Sequence, residues 1–295
     1  MKKCTQLSYR ERILRVMLYI QNNMDVPLGF EELAKVACFS PFHFHKVFRG
    51  MVGESLAEHI RRIRLERAAH CLRYGKRSIT DLALEAAYEN TESFTRSFRN
   101  HFGVTPTQYR AQAKDMDPDR FSTDQERMER ILFPGEITMD VMIQSFPSQQ
   151  VAFVRHIGPY DKCCSAWASL CAWAGPKGLL GPDSKFLGLC YDDPETTPQD
   201  KIRYDACVAL APDAQPFKTE HPVAVQEIAA GDYAVTLHTG PYSTLKDTYA
   251  QLCGRWLPSS GREIAFLPSI EVYLNDPEKT PPEKLKVEIR MPLQP

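Results

Sequence analysis

Up to about residue 112 the apolar residues recur at intervals of three and four, whereas from about residue 136 they alternate with polar ones or gather in short runs. The first spacing predicts amphipathic helices and the second predicts strands, so the pattern divides the chain before any single residue is weighed. In "RERILRVMLYIQNNM" Ile13, Val16, Met17 and Ile20 form one stripe with arginines outside it. Leu33, Val36 and Ala37 predict a short helix that stops before Ser40. Ser40 and Pro41 start another, because a serine oxygen accepts an orphan helix N–H and proline at the first helical position gives up no hydrogen bond. Phe44, Val47, Phe48 and Met51 make its apolar side. Two short helices across a tight turn form a helix-turn-helix.

The plan returns 50 residues later in "SITDLALEAAYENTESFTRSFRNHFGVTP", where Phe94 and Phe98 answer to Phe44 and Phe48, and Asn90 to the cap at Ser40. Between the copies, "SLAEHIRRIRLERAAHCLRYG" predicts a long helix with Leu56, Ile60, Ile63 and Leu72 inward and Arg61, Arg62, Arg64 and Arg67 outward. Two such units on one rigid helix suit two successive major grooves, roughly 34 Å apart. Charge agrees. Residues 1 to 114 carry 19 Lys and Arg against 11 Asp and Glu, and the remainder 17 against 26, so a net charge of -1 conceals a basic half joined to an acidic one. The basic half fits a polyanion.

The stretch from "SPFHFHKVFRGMVG" to "FGVTPTQYR" resembles the DNA-binding domain of the AraC/XylS family of transcription regulators over about 100 residues. Its most diagnostic part survives as Phe94, Arg96, Phe98, Phe102, Gly103, Pro106, Tyr109 and Arg110. The resemblance implies base reading by Phe42, His45 and Lys46 in the first unit and by Thr91, Glu92, Ser93, Thr95 and Arg96 in the second. Arginine and lysine bind guanine O6 and N7, and glutamate accepts from cytosine N4. Arg49, Arg61, Arg62 and Arg99 are expected on phosphates, which position the domain without reading sequence.

The expected boundaries are 1–113 for the helical domain, 114–135 for a charged linker with a short helix over 123–132, and 136–295 for the second domain. That second part is duplicated. "HIGPY" at 156–160 returns as "HTGPY" at 238–242, and after one inserted residue "DPETTPQDKIRYDA" falls on "DPEKTPPEKLKVEI", giving repeats at about 138–210 and 220–292. Each copy predicts two strands, a helix opened by Gly-Pro, and two further strands; His156 and His238 are read as turn residues, not as a catalytic or metal pair. The fold class is thus an all-α double helix-turn-helix domain followed by a duplicated two-layer α+β domain, with a cleft where the copies meet.

Aromatic residues and carboxylates are the candidate chemistry of that cleft, a combination that suits an amphiphilic cation. Alternation in "LKVEIRMPL" puts Glu288 on the face opposite Leu285, Val287 and Ile289, and Asp205 is its counterpart in the first copy; a solvated strand with ion pairs to Lys286 and Arg290 is the competing reading. The paired "HxGPY" segments and the closing "VEIRMPL" resemble the GyrI-like domain over residues 136–295. That resemblance implies a small-molecule pocket anchored by Glu288 and walled by Tyr160, Trp167, Tyr191, Tyr242 and Tyr273.

The nine cysteines include no CxxC or zinc-finger spacing and are read as reduced thiols, so neither metal nor cofactor is expected. No apolar run approaches the ~20 residues of a membrane span and the start lacks a signal-peptide core, which makes the cytoplasm the expected compartment. Together these features describe a non-enzymatic transcription regulator that binds promoter DNA and a small molecule, with RNA polymerase as the partner implied by the AraC-type resemblance. Two rivals stay open: a GyrI-like hydrolase of electrophilic compounds, with Glu288 and Tyr160 or Tyr242 as base and donor, and a protein-sequestering module.

Overall fold

The structure, a computed structural model, describes residues 8–24, 26–112, 139–181, 184–194, 197–211 and 219–295, without the side chain of Phe42. The expected linker and its helix lie outside the described residues. The chain divides into a unit of Met1–Phe39 with Met51–Gly135 and a unit of Ser40–Gly50 with Glu136–Pro295.

In the first unit, α1 (Tyr9–Asn22) opens on a capping box in which Ser8 and Glu11 each accept the other's backbone N–H. Its stripe of Ile13, Val16, Met17 and Ile20 is buried as expected, but so is Arg12, at 1 % exposure. The guanidinium donates from Nε to the Ala37 carbonyl at 2.9 Å and from a terminal nitrogen to that of Cys38, and the Phe39 ring lies 3.8 Å from its Cζ. Helix α2 (Phe30–Ala37) ends there with Cys38 in the left-handed conformation, and Arg12 satisfies carbonyls that the helix end leaves open. Cys38 is disulfide-bonded, against the reading of reduced thiols throughout.

Helix α4 (Leu56–Tyr74) starts at a second capping box, Ser55 with Glu58. Arg62 does not face outward as its helix position suggests: it is 5 % exposed and clamped between Glu54 and Glu66. Buried and paired in this way, Arg62 is not placed to meet a phosphate. Helices α5 (Ile79–Glu85), α6 (Thr91–Phe102) and α7 (Pro106–Gln112) close over α4 through one core, in which Phe94, Phe98, Phe102 and Tyr109 stack in a run of rings 4.5 to 5.6 Å apart.

The second unit contains the body of α3 (Pro41–Val52) and, among the described residues, an eight-stranded antiparallel sheet of order β1-β6-β8-β7-β3-β4-β2-β5. The strands are β1 (Met142–Phe146), β2 (Gln149–Ile157), β3 (Phe186–Cys190), β4 (Arg203–Ala209), β5 (Val223–Ile228), β6 (Gly231–Thr239), β7 (Ser269–Tyr273) and β8 (Lys286–Pro292). Each copy lends its first strand to the other: β1 pairs with β6, and β5 with β2.

That exchange fixes the curvature. Only residues 147 and 148 join β1 to β2, six places away in the sheet. A flat sheet would put those strands about 29 Å apart, while the link reaches about 11 Å. Residues 229 and 230 join β5 to β6 under the same constraint, so the sheet curls until its ends approach. The face turned inward holds Val151, Leu187, Cys207, Tyr233, Val235 and Val272, with Phe146 and Phe153 from opposite ends of the sheet packed on the same cluster. The other face carries α8 (Cys164–Ala174), packed on β2 and β4 around Leu170, Tyr204 and Ala206. Both layers of the expected α+β architecture are present.

The "HxGPY" segments are strand-to-helix turns. Gly158 (φ 142°) and Gly240 (φ 139°) hold a backbone conformation unfavourable for other residues. His156 Nε2 reaches the Pro159 carbonyl at 2.9 Å and His238 Nε2 that of Pro241 at 3.3 Å. Since a carbonyl only accepts, Nε2 carries the proton, and His238 Nδ1 accepts from Thr248 Oγ1 at 2.8 Å. In the second copy the expected single helix is broken into α9 (Leu245–Gln251), a π-turn over Leu252–Trp256 and α10 (Leu257–Ser260).

Candidate functional site

Two sites merit description, one on α6 and one on the helix-bearing face of the sheet. Asn90 caps α6, its Oδ1 accepting the Ser93 N–H at 2.8 Å, and Gly103 ends the helix at φ 77°. Phe94, Phe98 and Phe102 point into the core, which forces Glu92, Arg96, Arg99 and Asn100 to the surface. With Thr91, Thr95 and Thr105 these four line an open concavity of about 580 Å³. Ser93 is occupied differently from its expected reading role: its Oγ donates to the Asn90 carbonyl at 2.9 Å as part of the cap.

The first recognition helix presents another picture. His45 is 3 % exposed, with Nδ1 3.3 Å from Asp193 Oδ2, and Lys46 Nζ lies 4.1 Å from the centroid of the Tyr249 ring. Arg49 is half-buried, while Arg61 on α4 is exposed. Among the residues expected to meet DNA, the structure gathers Thr91, Glu92, Thr95, Arg96 and Arg99 on one surface and holds His45 and Lys46 against other side chains.

On the sheet, β3 and β7 pair at the centre of the duplication, with Gly188 directly opposite Glu271. The strands start at 186 and 269, so the sequence offset of the repeat maps Gly188 onto Glu271, and the pseudo-two-fold axis passes through this pair. One copy contributes a carboxylate and the other only space. Glu271 is 8 % exposed. Its Oε1 accepts from Tyr249 Oη at 3.2 Å and its Oε2 from Tyr273 Oη at 2.9 Å, while Tyr273 Oη lies 2.9 Å from Tyr204 Oη. A Cβ at residue 188 would fall 2.6 Å from Tyr204 Oη and 2.8 Å from Tyr273 Oη, so glycine there is what lets the two phenols meet.

Further rings gather on the two phenols Tyr273 and Tyr204. Trp167 and Tyr242 each stand 5.7 Å from Tyr273, edge to face, and Tyr160 stands 5.7 Å from Tyr204. The Tyr160 hydroxyl donates to the Asp192 carbonyl. Burial, and then the charge of Glu271, push the Tyr249 and Tyr273 phenols well above their ordinary range. They stay protonated and keep donating. The result is a nearly buried carboxylate held by two phenols with further aromatic rings close by, a set of groups that can attract a cation through charge and quadrupole.

The structure brings together Tyr160, Trp167, Tyr242 and Tyr273 from the expected set, and places Tyr191, Asp205 and Glu288 on the opposite, inward face. Asp205 is fully buried and saturated: Arg155 donates to both of its oxygens at 2.7 and 2.8 Å, Tyr191 Oη at 2.9 Å and Gln226 Nε2 at 2.8 Å. Burial and the Asp205 charge raise the Tyr191 phenol to about 12. Glu288 accepts from Arg290 Nε at 2.7 Å, and Arg290 lies 3.9 Å from the Phe146 ring centroid. Glu288, the expected anchor, is thus paired with Arg290 on the inward face, while Glu271 is the carboxylate on the face that carries the rings. The signal was in the sequence: alternation in "SIEVYL" sets Glu271 apart from Ile270 and Val272, and its repeat partner is uncharged.

Comparison with known proteins follows the same division. Residues 139–294 match the GyrI-like small molecule binding domain family, and residues 33–112 match a helix-turn-helix domain family. The Tn10 TetD protein of Escherichia coli is 37 % identical over 111 residues, covering 36 % of this chain and 80 % of that protein. The probable transcriptional regulator YgiV of Escherichia coli K12 is 29 % identical over 159 residues, covering 53 % of this chain and 98 % of its own. With other helix-turn-helix relatives the match spans about a third of their length. A cryo-EM structure of EcmrR bound to DNA aligns over 90 % of this chain and 98 % of that one at 15 % identity and a TM-score of 0.44. The chain belongs to the GyrI-like family, as a DNA-binding transcription regulator that joins an AraC-type helix-turn-helix domain to a small-molecule-binding domain.

Proposed function

We propose that Glu271 is the anchor for a cationic, amphiphilic effector and that α6 supplies the base-reading side chains at the operator. The observation that carries the ligand reading is a nearly buried carboxylate bonded by two tyrosines, one of which is itself packed by Trp167 and Tyr242. At an effective dielectric of about 20, unit charges 4 Å apart attract by about 4 kcal/mol. Replacing Glu271 by Gln keeps the shape and removes the charge. Calorimetry of the full chain with a lipophilic cation should show affinity reduced by about 2 to 4 kcal/mol, roughly 30- to 1,000-fold. A neutral compound of the same shape should bind both forms alike; equal loss for the two compounds would remove the anchor role.

Contact with RNA polymerase, the partner implied by an AraC-type domain, and operation in the cytoplasm belong to the same proposal. A hydrolase reading draws on the same Glu271 and tyrosines, as base and proton donor. Binding is preferred because both carboxylate oxygens already accept from phenols and because the site is fused to a DNA-reading domain. Multiple turnover of a bound electrophile would reverse that preference.

A further inference from the structure

The unit that contains Glu271 already holds a cation. Lys46, from the Ser40–Gly50 segment of that unit, places its ammonium 4.1 Å from the centroid of the Tyr249 ring, and the hydroxyl of the same tyrosine donates to Glu271. Two further contacts fix the segment. His45 Nδ1 lies 3.3 Å from Asp193 Oδ2, both side chains being buried. Gly50 meets Gly254 of the π-turn backbone to backbone, so closely that a Cβ at Gly50 would overlap the Ala250 carbonyl oxygen and Gly254 Cα. A π-turn widens the helix at the point where the second glycine sits. Burial raises the Cys190 and Cys253 thiols, and the Lys46 charge opposes that rise at both.

We propose that Lys46 is a built-in competitor for the effector: its ammonium takes the cation's place at the Tyr249 face and keeps α3 against the sheet domain, and a cationic effector displaces it, releasing α3 to DNA. This rests on reading Glu271 as the ligand anchor. It gives the ligand the differential affinity for two states that any control of DNA binding requires, because effector and recognition helix cannot both satisfy Tyr249. The sequence feature behind it is economical. Lys46 belongs to the first recognition helix, so one side chain serves a base or phosphate in one state and a tyrosine ring in the other.

Calorimetry of the full chain with benzyltrimethylammonium tests the idea. Lys46→Ala removes the competing charge, and Gly50→Ala blocks the backbone contact while leaving Lys46 in place. Where the competent state is about a tenth of the population, removing the competitor raises apparent affinity about tenfold. Both variants should therefore bind the probe about tenfold more tightly than the parent, and the exposed Lys201→Ala control should not differ from it. Saturating probe should also tighten operator binding by the parent chain and leave Gly50→Ala unresponsive. If Lys46→Ala and Gly50→Ala bind like the parent while Glu271→Gln binds weakly, the competitor is ruled out and the anchor stands. If Glu271→Gln in the Lys46→Ala background changes nothing, the anchor itself is wrong. If no form binds the probe, both readings fall.

Discussion

Removing the Arg12 guanidinium would leave the Ala37 and Cys38 carbonyls at the end of α2 without their donor. A hydrogen bond to a charged group contributes roughly 1.5 to 3 kcal/mol, so Arg12→Met, which keeps an apolar stem beside Phe39, should lower the unfolding free energy by about 3 to 5 kcal/mol in a denaturant titration. Arg12→Lys should recover less than half, because one ammonium cannot reproduce the fork that reaches both carbonyls and stacks on the ring. A cost below about 1 kcal/mol would show that water replaces the guanidinium. Periodicity assigned Arg12 to solvent because charge alone was used to place it, and its three partners lie 25 to 27 positions away. Glu271 is hidden from local sequence for a related reason. The strand rule that singled out Glu288 applies equally to Glu271; the partner of Glu288, Arg290, lies two residues along the same strand, whereas only pairing across the sheet shows that Glu271 stands opposite a glycine.

At the scale of elements the reading succeeded where a local cause sets the boundary. Ser40 and Asn90, the caps expected at two helix starts, both act there, and such caps are written within four residues of chain. It failed where a boundary depends on packing: the helix after Tyr242 is interrupted by a π-turn at Gly254, and nothing in "YSTLKDTYAQLCGRWL" breaks its periodicity. Helix α6 is the element most open to test. Arg96 and Arg99 are both exposed on the same concavity but one turn apart, and their roles are separable. Arg96→Ala should weaken the cognate operator by about 1 to 3 kcal/mol and relax preference at one base pair. Arg99→Ala should weaken cognate and random DNA alike and reduce the salt slope by about one. Fluorescence anisotropy over a salt series distinguishes the two, and identical behaviour of both variants would refute the division.

For the whole molecule, the duplication is informative because it is incomplete. Strand exchange and two-residue links force both copies into one curled sheet, and the pseudo-two-fold axis then brings residues 188 and 271 face to face. A symmetric pair of glutamates there would place two like charges across one strand pair, each raising the other's cost of ionisation. A symmetric pair of glycines would leave no charge at all. With Gly188 opposite Glu271, the first copy supplies the room in which Tyr204 and Tyr273 meet, and the second supplies the charge they help to hold. Gly188→Ala should therefore act on the ligand site without touching Glu271. The new methyl group would overlap both phenol oxygens, and overpacking of that kind costs roughly 1 to 3 kcal/mol of stability. Because Tyr273 must swing away, the affinity for a lipophilic cation should fall at least tenfold in the folded variant, with the Tyr204→Phe variant intermediate. Gly181→Ala, whose Cβ meets nothing within 4 Å, should match the parent chain in both stability and affinity. If Gly188→Ala destabilised the protein yet bound the cation normally, Tyr273 would be shown to hold the wall of the box and not its carboxylate, and the pocket would have to be rebuilt around Tyr249 alone.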